Sequence, residues 1–282
     1  MRKDIHEANR LSWNAATQAH NSHKGDQARF LREGGSTVFP EEVELVGHLA
    51  GKTLAHLQCN SGQDTLSLAK LGATVTGVDI SDEAIAFAAK LSADSGIPAT
   101  FVRSDIFDWF TEAAARGEQY DRVFSSYGTI MWLSDIKAWG RGIASVLKPG
   151  GAFVLMEFHP FGLMFNEKLE RDWPYFSAEP ILDEGVSDYV AYAKDGLVPW
   201  GYEEGVTEFT NPHGSGEFAW GLADVVTALL DAGLRLEVLR EYEYSNGCPR
   251  FDGSVQREGG RFYLPEGVPN MPQMFAVRAR KG

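Results

Sequence analysis

The stretch KTLAHLQCNSGQDTLSLAKLGATVTGVD, residues 52–79, decides the fold that the sequence predicts. Thr53 to Leu57 is a short and mostly apolar run, which is typical of a buried parallel strand. After a turn of small and polar residues, Asp64 to Leu71 carries leucines at helical spacing. The β-branched run from Thr74 to Val78 predicts a second strand, which ends at Asp79. The stretch therefore predicts a strand, turn, helix and strand unit with an acidic residue at its tip.

This unit has the properties of a nucleoside-binding site. Gly62 allows backbone to approach a ligand closely, and the helix start behind it presents unpaired N–H groups. Asp79 is placed to accept hydrogen bonds from both ribose hydroxyls, as the acid after the second strand does in dinucleotide folds. Cys59 and Ser61 stand where a pyrophosphate-binding loop has further glycines, which favours a ligand without a diphosphate. The alternative is an ordinary turn in which the Asp only caps a helix.

Two motifs resemble those of a known family. LQCNSGQDT at residues 57–65 and LKPGG at residues 147–151 resemble the Rossmann-like (class I) methyltransferases that use S-adenosylmethionine, in particular bacterial small-molecule enzymes with the variant L-Q-C-x-x-G-x-D-T. The resemblance covers about residues 40–160, and His56 or Gln58 replaces the acid of the family's first strand. It implies an α/β fold with a seven-stranded, mostly parallel sheet and helices on both faces. It also implies S-adenosyl-L-methionine as cofactor and S-adenosyl-L-homocysteine as product.

The resemblance implies that the turns after the first four strands contact the cofactor, together with the N-terminal helix. The matching positions are Trp13, His56, Gln58, Cys59, Asn60, Gly62, Asp64, Thr65, Asp79, Ile80, Ser104, Asp105, Ile106, Ser126 and Tyr127. Asp105 matches the acid that the family places near the adenine amino group, and Ile106 is expected to pack against the ring. The alternative for Asp105 is that it only caps the helix that follows.

Composition and charge narrow the function classes. The chain has 282 residues, enough for an α/β domain with an insertion, and a net charge of −13, which disfavours a nucleic-acid partner. No apolar run reaches the length of a membrane span, and the N-terminus lacks the apolar core of a signal peptide. The two cysteines form neither a disulfide framework nor a metal-binding spacing. We therefore expect a cytoplasmic protein with no membrane partner and no metal.

The chain divides into an N-terminal segment, a core and an insertion. Residues 1–39 contain a predicted helix over residues 4–20, and the resemblance implies that they form a lid. The core comprises residues 40–160 and 218–282. The resemblance implies that its last strand, which begins at Met274, is antiparallel.

The insertion, residues 161–217, is rich in aromatic residues and is interpreted as a cap over the acceptor pocket. Alternation at residues 187–192 and 205–209 predicts a small antiparallel sheet there. A peripheral hairpin with aromatic packing is the alternative. Two polar stretches that contain glycine, residues 21–38 and 250–262, are predicted to be loops.

Candidate acceptor and catalytic residues follow the strand ends and the aromatic segments. The acceptor contacts are predicted to be His20, Met131, Trp132, Tyr175 and Trp200, and the catalytic residues His159, Tyr127 and Glu157. Alternation places Glu157 and His159 on one face, and the usual pKa of histidine suits proton transfer at neutral pH. Alignment of the acceptor without a base is the alternative, because methyl transfer from a sulfonium needs a base only when the acceptor is protonated.

We therefore interpret the chain as an S-adenosylmethionine-dependent methyltransferase of a small molecule. The aromatic residues favour a planar acceptor, phenolic or indolic. An NAD(P)-dependent oxidoreductase and a non-catalytic cofactor-binding protein of the same fold are the alternatives. The first is weakened because the loop lacks the glycines that a pyrophosphate needs. The oligomeric state is left open between a monomer and a homodimer.

Overall fold

The computed structural model describes residues 1–177 and 179–282, and the strands of these residues form one large sheet and two small ones. In chain order the strands are β1 (Thr53–Leu57), β2 (Thr74–Asp79), β3 (Thr100–Arg103), β4 (Tyr120–Ser126), β5 (Leu147–Phe158), β6 (Ile181–Asp183), β7 (Ser215–Glu217), β8 (Leu234–Tyr242), β9 (Tyr244–Asn246), β10 (Val255–Arg257), β11 (Arg261–Tyr263) and β12 (Met274–Lys281).

The large sheet has the order β3-β2-β1-β4-β5-β12-β8. Strands β1 to β5 are parallel, and β12 is antiparallel to both of its neighbours, so the predicted fold class is confirmed. The strand order reverses between β1 and β4. In open α/β sheets a ligand-binding crevice lies beyond the carboxyl ends of the strands at such a reversal. The stretch quoted first, residues 52–79, therefore forms one wall of that crevice.

Helices cover both faces of the sheet. They are α1 (Lys3–Ser22), α2 (Gln27–Arg32), α3 (Pro40–Val46), α4 (Gln63–Lys70), α5 (Asp82–Ser95), α6 (Ile106–Ala115), α7 (Ile136–Val146), α8 (Tyr189–Ala193) and α9 (Leu222–Asp231). Alternate residues of β1 enter different cores: Ala55 and Leu57 pack with α6 and α7, and Leu54 packs with α3. Both faces of this strand are buried, which explains why its sequence is almost continuously apolar. Within the described ranges, no helix is long and apolar enough to cross a membrane.

Helix α1 joins two segments that are distant in the chain. Its Asn9 side chain donates to the backbone oxygen of Gly216 and accepts from the Gly216 N–H, both at 2.8 Å. On its other side, Asn14 accepts a hydrogen bond of 2.7 Å from the Ser81 hydroxyl and donates one of 3.0 Å to Asp82. The helix is therefore held both to the start of α5 and to β7.

Three local predictions were wrong. Residues 187–192 were expected to be a strand, but Asp188 accepts a hydrogen bond from the Ala191 N–H and begins α8. Residues 205–209 form no strand, and the small sheet of this region pairs β6 with β7. The predicted loop at residues 21–38 contains α2, which begins where the Asp26 side chain accepts from a backbone N–H. Asp26 and Asp188 cap the two short helices, and the spacing of apolar residues in the sequence does not reveal such caps.

The predicted loop over residues 250–262 was also wrong, because it contributes two strands. β10 and β11 pair with each other, and β11 pairs with β9, in a three-stranded antiparallel sheet. Tyr244 and Tyr263 face each other across it with ring centroids 5.5 Å apart. β11 pairs with β9, which lies outside the polar stretch, so the residues of the stretch alone do not indicate a strand.

Candidate ligand-binding site

A cavity of about 1230 Å³ opens at the carboxyl ends of the central strands. A pocket for one drug-sized ligand usually measures about 300–1,000 Å³, so this cavity has room for two ligands side by side. Its walls come from the turns after β1 to β4, from α1 and from the segments around residues 183–200 and 246–260. The predicted site residues that line it are Trp13, His56, Gln58, Cys59, Asn60, Asp64, Asp79, Ile80, Ser104, Asp105, Ile106, Ser126, Tyr127, Met131, Trp132 and Trp200.

Asp79 lies at the tip of β2 and faces the cavity. One of its carboxylate oxygens accepts from the Asn60 N–H and the other from the Ser81 N–H, both at 2.8 Å. Burial raises the pKa of Asp79, and these backbone hydrogen bonds oppose the shift. A carboxylate can accept about four hydrogen bonds, so Asp79 has capacity left to accept from a ligand. The turn after β1 and the tip of β2 therefore hold one acceptor group at the cavity wall.

Gly62 and Thr65 stand behind the cavity wall and do not line it. Gly62 has φ 79°, and a Cβ there would lie 2.7 Å from the Cβ of Ala88, so glycine is required for backbone conformation and packing. The Thr65 hydroxyl lies 2.8 Å from Nδ1 of His56. Burial lowers the pKa of His56 to about 4, so the ring is neutral at pH 7. His56, one of the two residues expected to replace the acid of the resembling family, is thus a neutral, hydrogen-bonded ring.

Opposite charges face the cavity beside this turn. Lys24 and Asp64 both line it, and the Lys24 pKa is lowered by burial to about 8 although the nearby Asp64 charge favours the protonated form. Gln58 donates to the Thr129 carbonyl at 2.8 Å, and its side-chain oxygen is buried without a hydrogen-bond partner. An ammonium donor would satisfy that oxygen. These groups fit the zwitterionic end of an amino acid.

Asp105 is held by helix α1. Its carboxylate lies 2.7 Å from Nδ1 of His6 and 2.9 Å from Nζ of Lys3, and it also accepts from the Phe107 N–H at 2.9 Å. Burial opposes ionisation, but the hydrogen bonds from His6 and Lys3 outweigh it and lower the pKa of Asp105 to about 2. Asp105 caps α6, as the alternative prediction had it, and also faces the cavity.

The turn after β4 has a strained backbone that Glu157 supports. Tyr127 has φ 42°, which is uncommon for a residue other than glycine. The Glu157 carboxylate accepts backbone hydrogen bonds from Gly128, from Thr129 at 2.7 Å and from Ile130 at 3.2 Å. Its side chain is buried, and burial raises its pKa against the effect of these bonds. Glu157 does not line the cavity, so the structure gives this predicted catalytic residue the place of a loop anchor.

His159 does not line the cavity either. Strand β5 ends at Phe158, but the His159 N–H still donates to the Gln273 oxygen at 2.9 Å, and the His159 ring lies 5.9 Å from the ring of Phe275, the residue that pairs with Glu157. Its Nε2 lies 2.9 Å from a Glu241 oxygen on β8, and its Nδ1 accepts from the Phe161 N–H at 3.1 Å. Burial lowers the pKa of His159, and the Glu241 charge opposes the shift. Glu157 and His159 thus share a face of the sheet, as expected, but the structure does not bring this predicted catalytic pair to the cavity wall.

Two predicted acceptor contacts also lie elsewhere. His20 is buried against Tyr189, with ring centroids 4.1 Å apart, and its Nε2 lies 2.9 Å from the Ser187 oxygen. Burial lowers its pKa to about 4. The Tyr175 hydroxyl accepts from the Leu222 N–H at 3.2 Å, outside the cavity. Both residues join the 161–217 segment to its surroundings.

Several cavity residues were missed from the sequence. Glu217 on β7 lines the cavity with one buried oxygen that has no hydrogen-bond partner. Burial, with a contribution from the Asp183 charge, raises the pKa of Glu217 to about 8. Asn246, the last residue of β9, and Arg250, in the turn that follows it, also line the cavity. Arg250 is a basic residue between two turns that contain glycine, in an acidic chain, and this feature of the sequence could have indicated it.

The comparisons agree with this geometry. Residues 55–151 match the family model described as a methyltransferase domain. Over 109 residues, 39% of this chain, the sequence is 32% identical to the ubiquinone biosynthesis O-methyltransferase of Escherichia fergusonii. The chain spans less than half, 44%, of that relative's length.

Two solved structures show the same fold, and both are described as S-adenosylmethionine-dependent methyltransferases. The one from Mesorhizobium loti is 19% identical, covers 89% of this chain and 100% of its own, and has a TM-score of 0.53. The one from Clostridium acetobutylicum is 14% identical, covers 92% of each chain and also has a TM-score of 0.53.

Proposed function

We propose that this chain, which carries a methyltransferase domain of the Rossmann-like class at residues 55–151, is an S-adenosylmethionine-dependent methyltransferase of a small molecule. The observation that carries the proposal is the cavity at the reversal of strand order, with Asp79 on its wall and room for two ligands. When bound, the cofactor supplies a methyl group on an activated sulfonium. The protein then has to align the acceptor and exclude water.

The cofactor is held in three parts in this proposal. Asp79 accepts the ribose hydroxyls, and the ring packs against Ile80 and Ile106, with Asp105 at its amino group. Lys24, Asp64 and the Gln58 oxygen bind the amino-acid end. The opposite charges of Lys24 and Asp64 on one cavity wall support this orientation.

The acceptor occupies the aromatic part of the cavity in this proposal. Trp13 and Trp132 meet edge to face there, with ring centroids 5.5 Å apart, and Met131 and Trp200 also line the space. Aromatic rings and a thioether favour a planar, phenolic or indolic acceptor. Residues 161–217 contribute part of this wall and act as the cap, whereas α1, within residues 1–39, acts as the lid over the core formed by residues 40–160 and 218–282.

None of the three predicted catalytic residues acts as a general base in this proposal. Glu157 and His159 lie outside the cavity, and burial raises the pKa of Tyr127 well above its usual value, so its hydroxyl stays protonated at pH 7. A protonated phenol donates a hydrogen bond and does not remove a proton. Tyr127 therefore orients the acceptor.

The remaining partner and compartment assignments are also part of the proposal. A net charge of −13 supports a small-molecule acceptor and disfavours a nucleic acid. We assign the protein to the cytoplasm on its two unpaired cysteines.

Calorimetry with S-adenosylhomocysteine and with NADH tests the proposal. We expect the nucleoside to bind with micromolar affinity and to raise the melting temperature, because a ligand that binds only the native state stabilises it. NADH should not bind, because its pyrophosphate needs glycines that this loop lacks. Binding of NADH without binding of S-adenosylhomocysteine would replace the proposal by an oxidoreductase, and binding of neither would remove the cofactor.

A further inference from the structure

Arg250 lies in the cavity wall with unused hydrogen-bonding capacity. It follows β9, and its guanidinium carbon lies 4.9 Å from the centroid of the Phe158 ring and 5.8 Å from that of Phe251. One terminal nitrogen is 3.4 Å from the Gly162 oxygen, a long contact, and Nε is buried with no hydrogen-bond partner. In residues 1–177 and 179–282, no carboxylate oxygen lies within 4.0 Å of this guanidinium.

Two acidic groups lie close enough to Arg250 to oppose the lowering of its pKa by burial, but neither neutralises its charge. They are Glu157 and Cys248. The Glu157 oxygens are occupied by backbone N–H groups, and burial raises the pKa of the Cys248 thiol, which is therefore uncharged at pH 7. The guanidinium remains protonated in proteins. The side chain is partly exposed, but its Nε is buried without a partner, and buried charged groups in native proteins are normally paired, so this cation calls for a negative partner in the cavity.

Asn246 and Tyr127 line the same cavity as Arg250. Asn246 lines the cavity, and its side-chain oxygen is buried without a partner. Its nitrogen donates to the Tyr127 hydroxyl at 2.8 Å. The Phe158 ring links the two groups, because it lies 4.9 Å from the Arg250 guanidinium carbon and 5.8 Å from the Tyr127 ring centroid. A guanidinium fork matches the two oxygens of a carboxylate.

The amino-acid end of the cofactor has its own cation in Lys24, which comes from the loop after α1 and lies beside Asp64. Arg250 is thus left for the second ligand. We propose that Arg250 binds a carboxylate of the methyl acceptor, so that the substrates are small planar molecules with one negative charge. This inference rests on the proposed function and names the chemical class of its acceptor.

Matched probes test the proposal. Indole-3-acetate and indole-3-acetamide have nearly the same shape, but only the first carries a charge. We expect the wild-type protein, in calorimetry at saturating S-adenosylhomocysteine, to bind the carboxylate at least tenfold more tightly than the amide. Arg250→Met should abolish this preference and change the affinity for S-adenosylhomocysteine by less than twofold. Arg250→Lys, which keeps the charge without the fork, should retain part of the preference.

Arg257→Met is the control. Arg257 is exposed on β10, where its guanidinium lies 4.1 Å from the Tyr263 ring centroid and outside the cavity. This variant should keep the full preference for the carboxylate. A melting curve for each variant shows that it is folded.

Three results would overturn the inference. The first is equal affinity of the wild-type protein for the two probes, and the second is a carboxylate preference that survives in Arg250→Met. The third is a tenfold loss of S-adenosylhomocysteine affinity in that variant, which would assign Arg250 to the cofactor. The probes are also titrated without nucleoside, so that failure of the wild-type protein to bind S-adenosylhomocysteine, which contradicts the proposed function, is distinguished from failure of the carboxylate preference.

Discussion

The side-chain nitrogen of Asn246 donates a hydrogen bond of 2.8 Å to the hydroxyl of Tyr127. This bond joins the turn after β4 to β9, segments that are 119 residues apart in the chain. It fixes the phenol from one side while Glu157 holds the backbone of the same turn through Thr129. The position of the Tyr127 hydroxyl in the cavity is therefore set by two independent parts of the fold.

Tyr127→Phe should weaken binding of indole-3-acetate by about tenfold, because the variant lacks the hydroxyl and leaves a buried Asn246 donor unpaired. His159→Ala should leave the same affinity within twofold, because His159 pairs with Glu241 outside the cavity. Calorimetry at saturating S-adenosylhomocysteine measures both. A large loss in His159→Ala would place that ring in the site after all.

Asp79→Ala should lower the affinity for S-adenosylhomocysteine by roughly one to two orders of magnitude, since a hydrogen bond to a charged group contributes about 1.5–3 kcal/mol. The free energy of unfolding should fall less, because the two backbone donors that Asp79 holds lie next to the cavity and can bind water. Asp94→Ala, at an exposed carboxylate near the end of α5, is the control. An unchanged dissociation constant in Asp79→Ala would remove this residue from the ribose site.

Asp105→Asn should reduce the discrimination between S-adenosylhomocysteine and its inosine analogue. It should also loosen α1, because the neutral amide pairs more weakly with Lys3 and His6. Hydrogen exchange along α1 should therefore become faster, which separates this variant from Asp79→Ala. If Asp105→Asn distinguishes the two nucleosides as well as the wild-type protein does, the adenine amino group is recognised elsewhere.

Glu217 should make the protein less stable as the pH rises. Its pKa is about 8 in the folded state and near 4.5 in the unfolded state, so the folded protein binds the extra proton between these values. The free energy of unfolding should then fall by up to about 1.4 kcal/mol per pH unit in that window. Glu217→Gln should show a flatter dependence in urea denaturation at pH 5, 6.5 and 8, with the exposed Glu266→Gln as control. Parallel curves for wild type and Glu217→Gln would contradict the assignment.

The central sheet could be predicted because its signals are local. The apolar run of β1 and the acid at the end of β2 lie within the 28 residues of the quoted stretch, and parallel strands bring their carboxyl ends to one edge. Alternation of side-chain character at residues 187–192 indicated a strand, but the segment forms a short helix capped by Asp188. Short segments of this kind are ambiguous by period.

The site could be predicted mostly where residues stand at the end of a strand. Asp79 and Tyr127 do, and both line the cavity. The contacts of Lys3 and His6 with Asp105 join residues about a hundred positions apart, and no local pattern indicates them. Arg250 was missed for the same reason, because its place in the wall depends on the pairing of β11 with β9.

The position of β12 has a consequence for synthesis of the protein. This strand is the last in the chain but lies inside the sheet, between β5 and β8, and its Phe275 and Val277 are fully buried. A ribosome adds roughly 5–20 residues per second, so on the order of ten seconds separate the synthesis of β5 from that of β12. During this time the nascent chain exposes an unpaired edge of β5, which is a template for aggregation. The central sheet therefore cannot be completed on the nascent chain until β12 has been synthesised.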